Sequence, residues 1–292
     1  MKKCKYLPFL IMFLFINNAI SADNFIGHAY SFKCPYYGCD DVDIYARPLF
    51  KKNHNDWQIF PQSKDIGNTL DALQLSYKLF PVAIKWNIFN YDQSLIGEEL
   101  VENNRPSEWW MNVGASKMQF DLKKIIKYSD IIGYYDPMAD LILSTNKSSV
   151  FYKYKTRETT DVKIFESSIN YTKDIVSNAD TILSIEKSAT IYSIENMDVI
   201  AILDFKQISD EMVDVDSVVL IKTGDKWEFA FDGQSTINDR DNVFFRLKTI
   251  ADFDNDGKSE YIFILSSGIN RFGYILWHDG ITKPLVYEYS LH

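Results

Sequence analysis

Apolar and polar residues alternate along much of this chain, in short segments that end at turn-forming residues. Alternation with a period of two is typical of a β-strand with one buried face, and it recurs in residues 30–33, 42–45, 151–154 and 190–194. Runs that are apolar almost throughout, typical of strands buried on both faces, occupy residues 199–205, 218–221 and 261–265. Helix is expected only over residues 69–80 and 122–128. The pattern therefore predicts an all-β fold.

The most specific motif is an acidic run over residues 252–260. Carboxylates stand at its first, third and fifth positions, a glycine at the sixth permits a sharp turn, the seventh offers a backbone carbonyl, and the ninth adds a carboxylate. The predicted ligands are Asp252, Asp254, Asp256, the carbonyl of Lys258, and Glu260. This arrangement suits Ca²⁺, which takes many oxygen ligands, and carboxylates this close repel one another unless a cation neutralises them. The alternative is an acidic surface turn, which Asp, Asn and Gly form readily.

The residues on either side of this run distinguish it from an EF-hand. An EF-hand requires a bidentate Glu at position twelve and a helix on each flank, whereas position twelve here is Phe263. Residues 243–250 and 261–265 are rich in β-branched and aromatic side chains, which favour strands. We therefore predict the order strand, calcium loop, strand.

Three segments carry a resemblance to a known family. IADFDNDGKSEYIFILSSG, residues 250–268, resembles the aspartate-rich loop of FG-GAP and VCBS repeats, the calcium-loop blades of integrin-like β-propellers. GYILWHDGITKPLVYEYSLH at the C-terminus and KWNIFNYDQSLIGEEL, residues 85–100, are similar to parts of a group of bacterial secreted proteins with one such loop. The resemblance implies a calcium-stabilised β-propeller-like fold, irregular and with few blades, and no particular activity. A β-sandwich is the alternative.

A faint internal repeat is visible over residues 208–292. Ile208 and Ile250 open similar segments 42 residues apart, and Gly233 and Gly280 close them 47 residues apart. This period fits a four-stranded propeller blade. The upstream copy lacks the glycine and the full acidic spacing, so no metal is predicted there. The alternative is that any series of strands and turns looks self-similar.

The N-terminus predicts a secretory signal peptide, residues 1–22. Three lysines precede an apolar stretch, residues 6–16, and a small-residue end at Ser21 and Ala22. The stretch is short for a bilayer span, so we predict cleavage and export to the periplasm or the exterior. An uncleaved membrane anchor is the alternative. Residues 23–292 then form one β-rich calcium-loop domain.

Two cysteines follow the predicted leader, Cys34 and Cys39, with Pro35 and Gly38 between them. In an oxidising compartment, an even pair this close together favours a local disulfide. A metal site is the alternative, but no histidine stands nearby at zinc spacing.

Charge and composition narrow the choice of partner. Thirty-one basic and forty acidic residues give a net charge of −9, and an acidic protein repels nucleic acids and anionic membrane surfaces. After the leader, no segment is long and apolar enough for a transmembrane helix. The four histidines form no two-histidine metal motif. Trp109 and Trp110 are candidates for a glycan- or peptide-binding surface, although adjacent tryptophans more often divide between core and surface.

Two functions from different classes fit these features. The first is a calcium-binding β-repeat protein of the cell envelope that acts as a binding or structural module and meets a protein or glycan through its loops. The alternative is a secreted hydrolase whose carboxylates converge in the cleft of a propeller, because spatial pairs of acids cannot be recognised from sequence. We expect the first, since no catalytic residue can be assigned.

Overall fold

The computed structural model describes fifteen stretches of the chain. They are residues 24–32, 43–53, 56–60, 84–89, 95–101, 122–125, 142–162, 165, 184–208, 213–233, 236, 243–267, 271–278, 281 and 283–290. Within them lie seventeen β-strands: β1 (Phe25–Phe32), β2 (Asp43–Asn53), β3 (Asp56–Ile59), β4 (Ile84–Phe89), β5 (Leu95–Val101), β6 (Leu122–Ile125), β7 (Ile142–Ser144), β8 (Val150–Phe151), β9 (Tyr154–Thr159), β10 (Ser184–Ile194), β11 (Met197–Ile208), β12 (Val213–Thr223), β13 (Lys226–Asp232), β14 (Val243–Asp252), β15 (Glu260–Ser267), β16 (Arg271–His278) and β17 (Leu285–Ser290). The predicted all-β fold is confirmed.

The strands form three sheets in which every described pairing is antiparallel. The first sheet has the order β3-β2-β1-β7-β4-β5, with β6 also paired to β2. The outer sheet has the order β13-β12-β11-β10-β9, and the central sheet has the order β17-β16-β15-β14-β8. None of the three sheets closes on itself. The arrangement is therefore sandwich-like, and a propeller stays a prediction.

The central sheet is buried on both faces. Along β15, Ile262 packs in a core shared with the first sheet, whereas Phe263 and Leu265 pack in a core shared with the outer sheet. An almost continuous apolar sequence is what such a doubly covered strand requires. The run at residues 261–265 has this property for that reason.

A bulge in β14 determines how its end faces the other sheets. The register with β15 shifts between Leu247 and Thr249, so Leu247 and Ile250 both pack toward the outer sheet. After the bulge, Ala251 and Phe253 face the first sheet. Because a bulge reverses the alternation of side chains, it presents the loop after β14 to the first sheet.

The structure corrects one expectation of local structure. Residues 122–125 of the segment expected to be helical, 122–128, form strand β6, which pairs with β2 from Asp43↔Ile125 to Ala46↔Leu122. Pairing with a distant strand overrides local helix propensity here. The other expected helix, residues 69–80, lies outside the described residues.

Candidate metal centre

The acidic run forms the loop of the hairpin that joins β14 to β15. Asp252 ends β14 and Glu260 begins β15, with Ala251 paired to Glu260 across the hairpin. The backbone φ angles of Asn255 and Gly257 are 61° and 84°, in the left-handed region that Asn and Gly tolerate best. The predicted order of strand, loop and strand is confirmed, as is the sharp turn at Gly257.

Three of the predicted ligands come together at the base of this loop. One carboxylate oxygen from each of Asp252, Asp254 and Glu260 lies within 4.8 Å of the other two. Ligand oxygens on opposite sides of a calcium ion, each about 2.3–2.6 Å from it, are separated by about 5 Å. Asp252 and Glu260 are buried, and the Asp254 side chain is only 5% exposed. The triad can therefore hold a metal ion.

Backbone amides of the loop fix the first two carboxylates. The amide of Asp256 donates to Asp252 Oδ1 at 3.1 Å and to Asp254 Oδ1 at 3.2 Å, and that of Gly257 donates to Asp252 Oδ2 at 3.0 Å. An ionised carboxylate has about four acceptor positions. These hydrogen bonds therefore shape the loop and leave lone pairs for a cation.

Glu260 is held by one donor from its own loop and one from the first sheet. The amide of Phe253 donates to its Oε2 at 2.8 Å, and the indole Nε1 of Trp57, in β3 of the first sheet, donates to its Oε1 at 3.1 Å. Burial raises the pKa of Glu260 to about 7, and the charge of Asp254 adds to the rise, although both hydrogen bonds and Lys52 oppose it. A cation beside Glu260 would favour its ionised form.

Lys52, in β2 of the first sheet, supplies a positive charge to the loop. Its Nζ lies 2.5 Å from Asp254 Oδ2, 3.6 Å from Asp256 Oδ2, and 5.4 Å from the ring centroid of Trp57. Burial lowers the pKa of this lysine, but the hydrogen bond with Asp254 and the neighbouring carboxylates outweigh burial and raise it above its ordinary value. Lys52 is therefore an ammonium ion although it is buried.

The loop is also braced by the turn between β7 and β8. The side-chain amide of Asn146 donates to the carbonyl of Phe253 at 2.8 Å, and the hydroxyl of Ser149 donates to the same oxygen at 3.2 Å. Two segments distant in sequence, the β2–β3 hairpin and the β7–β8 turn, thus converge on the loop.

Two further predicted ligands have a different setting. Asp256 is not part of the triad; its Oδ1 accepts the amide of Lys258 at 2.9 Å, and its side chain is 40% exposed. The carbonyl of Lys258 stays a predicted ligand. Sequence reasoning missed Lys52 and Trp57, and no local pattern around either residue marks it as a neighbour of the loop.

Several predicted features lie outside the described residues. They are the signal peptide, residues 1–22, the cysteines Cys34 and Cys39, and the pair Trp109 and Trp110. Among the residues that are described, no helix has the length and apolar character needed to cross a membrane.

Comparison with other proteins gives no family for this chain. No protein-family model, curated protein or solved structure matches it. The resemblance to FG-GAP and VCBS repeats therefore stays a prediction that rests on the motif itself.

Proposed function

We propose that the β14–β15 loop binds calcium, and that the protein is an exported β-sheet module stabilised by that ion. The observation that carries the proposal is the triad of Asp252, Asp254 and Glu260, whose oxygens lie within 4.8 Å of one another in a buried site. The three carboxylates can carry more negative charge than the ammonium of Lys52 offsets, and a divalent cation can neutralise the excess.

Calcium is favoured over other metals by the ligand chemistry. The triad offers only carboxylate oxygens, which suit hard cations, whereas zinc and copper favour nitrogen and sulfur ligands. Calcium tolerates irregular geometry and six to eight ligands, while magnesium requires a compact octahedron. The irregular geometry of a hairpin loop therefore fits calcium better than magnesium.

The location and role of the protein are part of the same proposal. The predicted leader and the predicted Cys34–Cys39 disulfide support export, and calcium sites of extracellular modules bind with a Kd of about 10⁻⁴ to 10⁻³ M. In that setting the bound ion would tie β14 to β15 across the loop. The module would then meet a protein or glycan of the envelope through its loops.

The proposal also includes a specific architecture, a β-propeller with few blades. The outer and central sheets support it because each contains a meander of consecutive antiparallel strands, β9–β13 and β14–β17, and because they share one core. Within each predicted repeat, two further strands follow the first: β12 and β13 follow β11, and β15 and β16 follow β14.

The decisive experiment is calcium titration of the purified mature protein by calorimetry and thermal unfolding, beginning in EDTA. Calcium at 100 times its Kd is expected to stabilise the fold by about 2.7 kcal/mol, a rise in Tm of about 5–10 °C. Asp252→Asn and Asp254→Asn should abolish the response. Asp225→Asn, an exposed aspartate in the β12–β13 turn, is the matched control and should keep it.

The outcome also defines the ligand set and the metal. If Asp256→Asn lowers calcium affinity, Asp256 is a ligand, as the sequence predicts. If the affinity is unchanged, the three carboxylates of the triad bind calcium without it. Magnesium at the same concentration should give a much smaller rise in Tm. A protein whose Tm is the same in EDTA and in calcium would overturn the proposal that the native loop binds calcium.

A secreted hydrolase is the second candidate, supported by an open cleft of about 470 Å³ beside the outer sheet. Its lining includes two carboxylates, Glu186 and Asp204, and two lysines, Lys187 and Lys206. Burial raises the pKa of Asp204 above its ordinary value, while the hydroxyl of Ser217 opposes the rise. Hydrolysis of a chromogenic glycoside that Asp204→Asn abolishes would favour this function, provided that loop variants retain the activity.

A further inference from the structure

Lys52 places a positive charge inside the proposed metal site. The lysine reaches the loop from β2 of the first sheet, and its ammonium contacts Asp254, one of the three clustered carboxylates. It is nine-tenths buried, with the indole of Trp57 on one side and the carboxylates of the loop on the other. An ammonium in this position is a cation that the chain itself supplies to the site.

A bound metal and this ammonium have conflicting demands. Both are attracted to Asp254, and they repel each other at a separation of a few ångströms in a setting that water screens poorly. Metal binding therefore requires Lys52 to leave Asp254 or to stay there at an electrostatic cost. Without metal, the ammonium supplies the positive charge that pairs with the buried carboxylate of Asp254.

We propose that Lys52 is a resident counter-ion that competes with the metal for Asp254, so that the loop exchanges an intramolecular ammonium for a divalent cation. This inference rests on the proposed calcium function and concerns the regulation of the same site. It makes Lys52 a residue that weakens metal affinity. It also couples occupancy of the loop to the contact between β2 and the hairpin, because the same lysine makes that contact.

The test is a calcium titration of Lys52→Gln beside the wild-type protein, with Ca²⁺ alone as the probe. Lys52→Gln should bind calcium about tenfold or more tightly, since a like charge so close to a divalent cation is strongly unfavourable inside a protein. Terbium luminescence excited through tryptophan gives a second, local reading, because Trp57 donates to Glu260. Wild-type emission that Trp57→Phe removes assigns this reading to the loop.

Lys51→Gln is the matched control. Lys51 is the next residue of β2, and its Nζ lies 5.5 Å from the ring centroid of Phe25. Its removal changes the net charge equally, but successive side chains of a strand point to opposite faces and a less buried charge is better screened, so any change in calcium affinity should stay below about threefold. Lys52→Arg retains the positive charge and should bind calcium about as weakly as the wild-type protein.

The possible results separate this inference from the proposed function. Equal or weaker calcium binding by Lys52→Gln, with normal binding by the wild-type protein, overturns the competition and leaves the calcium site intact. Binding by Lys52→Gln alone supports the competition, because the ammonium then holds the site in the native chain, and it overturns calcium binding by the wild-type protein. If neither protein binds calcium, both proposals are overturned.

A measurement on the unaltered chain covers the case in which Lys52→Gln does not fold. Amine-specific labelling, mapped by peptide mass, compares Lys52 with Lys51 in EDTA and in saturating calcium. Release from Asp254 should raise the labelling of Lys52 relative to Lys51 when calcium is added. An unchanged or lower ratio in calcium-bound protein would overturn the exchange.

Discussion

The central sheet meets its two neighbours through different chemistry. Against the outer sheet it packs aromatic rings. The ring centroid of Phe231, in β13, lies 5.2 Å from those of Phe245 and Phe263 in the central sheet, in edge-to-face geometry. Against the first sheet it also has an apolar core, but a buried ion pair and a buried glutamate lie at its margin, where Lys52 and Trp57 contact the acidic loop.

The difference indicates which contacts respond to solution conditions. Apolar burial depends little on salt, pH or metal, so the contact between the central and outer sheets should be nearly constant across conditions. A buried charged cluster gains or loses stability with the charge of each member. The contact between the central and first sheets should therefore depend on the ionic state of the loop.

The largest expected effect is on the apolar side. Phe263→Ala removes a fully buried ring from the core shared with the outer sheet and should lower the free energy of unfolding by about 3–5 kcal/mol. Urea unfolding should give the same loss in EDTA and in calcium. Phe244→Ala, at a ring that is 46% exposed in β14, should change stability by less than about 0.5 kcal/mol. A metal-dependent loss for Phe263→Ala would contradict the proposed division.

The next largest effect concerns Asp216, a partly buried acid of the outer sheet. Burial, with the charge of Asp232 adding to it, raises the pKa of Asp216 from 3.8 to about 6. The folded state thus holds this proton more tightly than the unfolded chain does, so its contribution to stability is present below pH 4 and is lost as the pH rises through 6. Asp216→Asn should therefore reduce the fall in unfolding free energy between pH 4 and pH 7 by up to about 3 kcal/mol.

Chemical unfolding across this pH range in EDTA provides the measurement. The dependence that remains in Asp216→Asn should reflect other groups, among them Glu260 with its pKa of about 7. Asp225→Asn, in the exposed β12–β13 turn, should leave the profile as it is in the wild-type protein. An Asp216→Asn profile identical to the wild-type profile would show that Asp216 titrates normally.

A smaller effect is expected at the ion pair. Asp254→Asn leaves the buried ammonium of Lys52 with only the longer contact to the Asp256 carboxylate, and in EDTA the loss of its hydrogen bond should lower the free energy of unfolding by about 2 kcal/mol. Adding Lys52→Met to this variant should recover part of the loss, because replacing both partners of a buried pair is tolerated better than removing one. Additive losses in the double variant would show that the two residues do not stabilise each other.

The sequence predicts one side of this comparison far better than the other. The loop from Asp252 to Glu260 is recognisable because its ligands and its turn glycine are close in sequence, and β15 is recognisable from its apolar run. Trp57 and Glu260, in contrast, are 203 residues apart, and no spacing rule connects them. Strand β6 shows the same limit, since its pairing with β2 determines a structure that local propensity does not.

The smallest expected effect is the loss of the hydrogen bond that Trp57 donates to Glu260. Trp57→Phe keeps an aromatic side chain but removes the donor to Glu260, which should lower the free energy of unfolding in EDTA by about 1–2 kcal/mol. Trp227→Phe is the matched control, because Trp227 also lies beneath a lysine, Lys222, but packs against Phe165 on the far side of the outer sheet.

A double-mutant cycle with Glu260→Gln, measured by urea unfolding in EDTA, gives the decisive comparison. The losses for Trp57→Phe and Glu260→Gln should be non-additive by about 1 kcal/mol, because Glu260→Gln replaces the carboxylate that accepts the Trp57 hydrogen bond by a neutral, weaker acceptor. Those for Trp227→Phe and Glu260→Gln should add. Additivity in both pairs would mean that Trp57 contributes only packing. Among the contacts described, the polar link between the first and central sheets would then consist of Lys52 with Asp254 and Asp256.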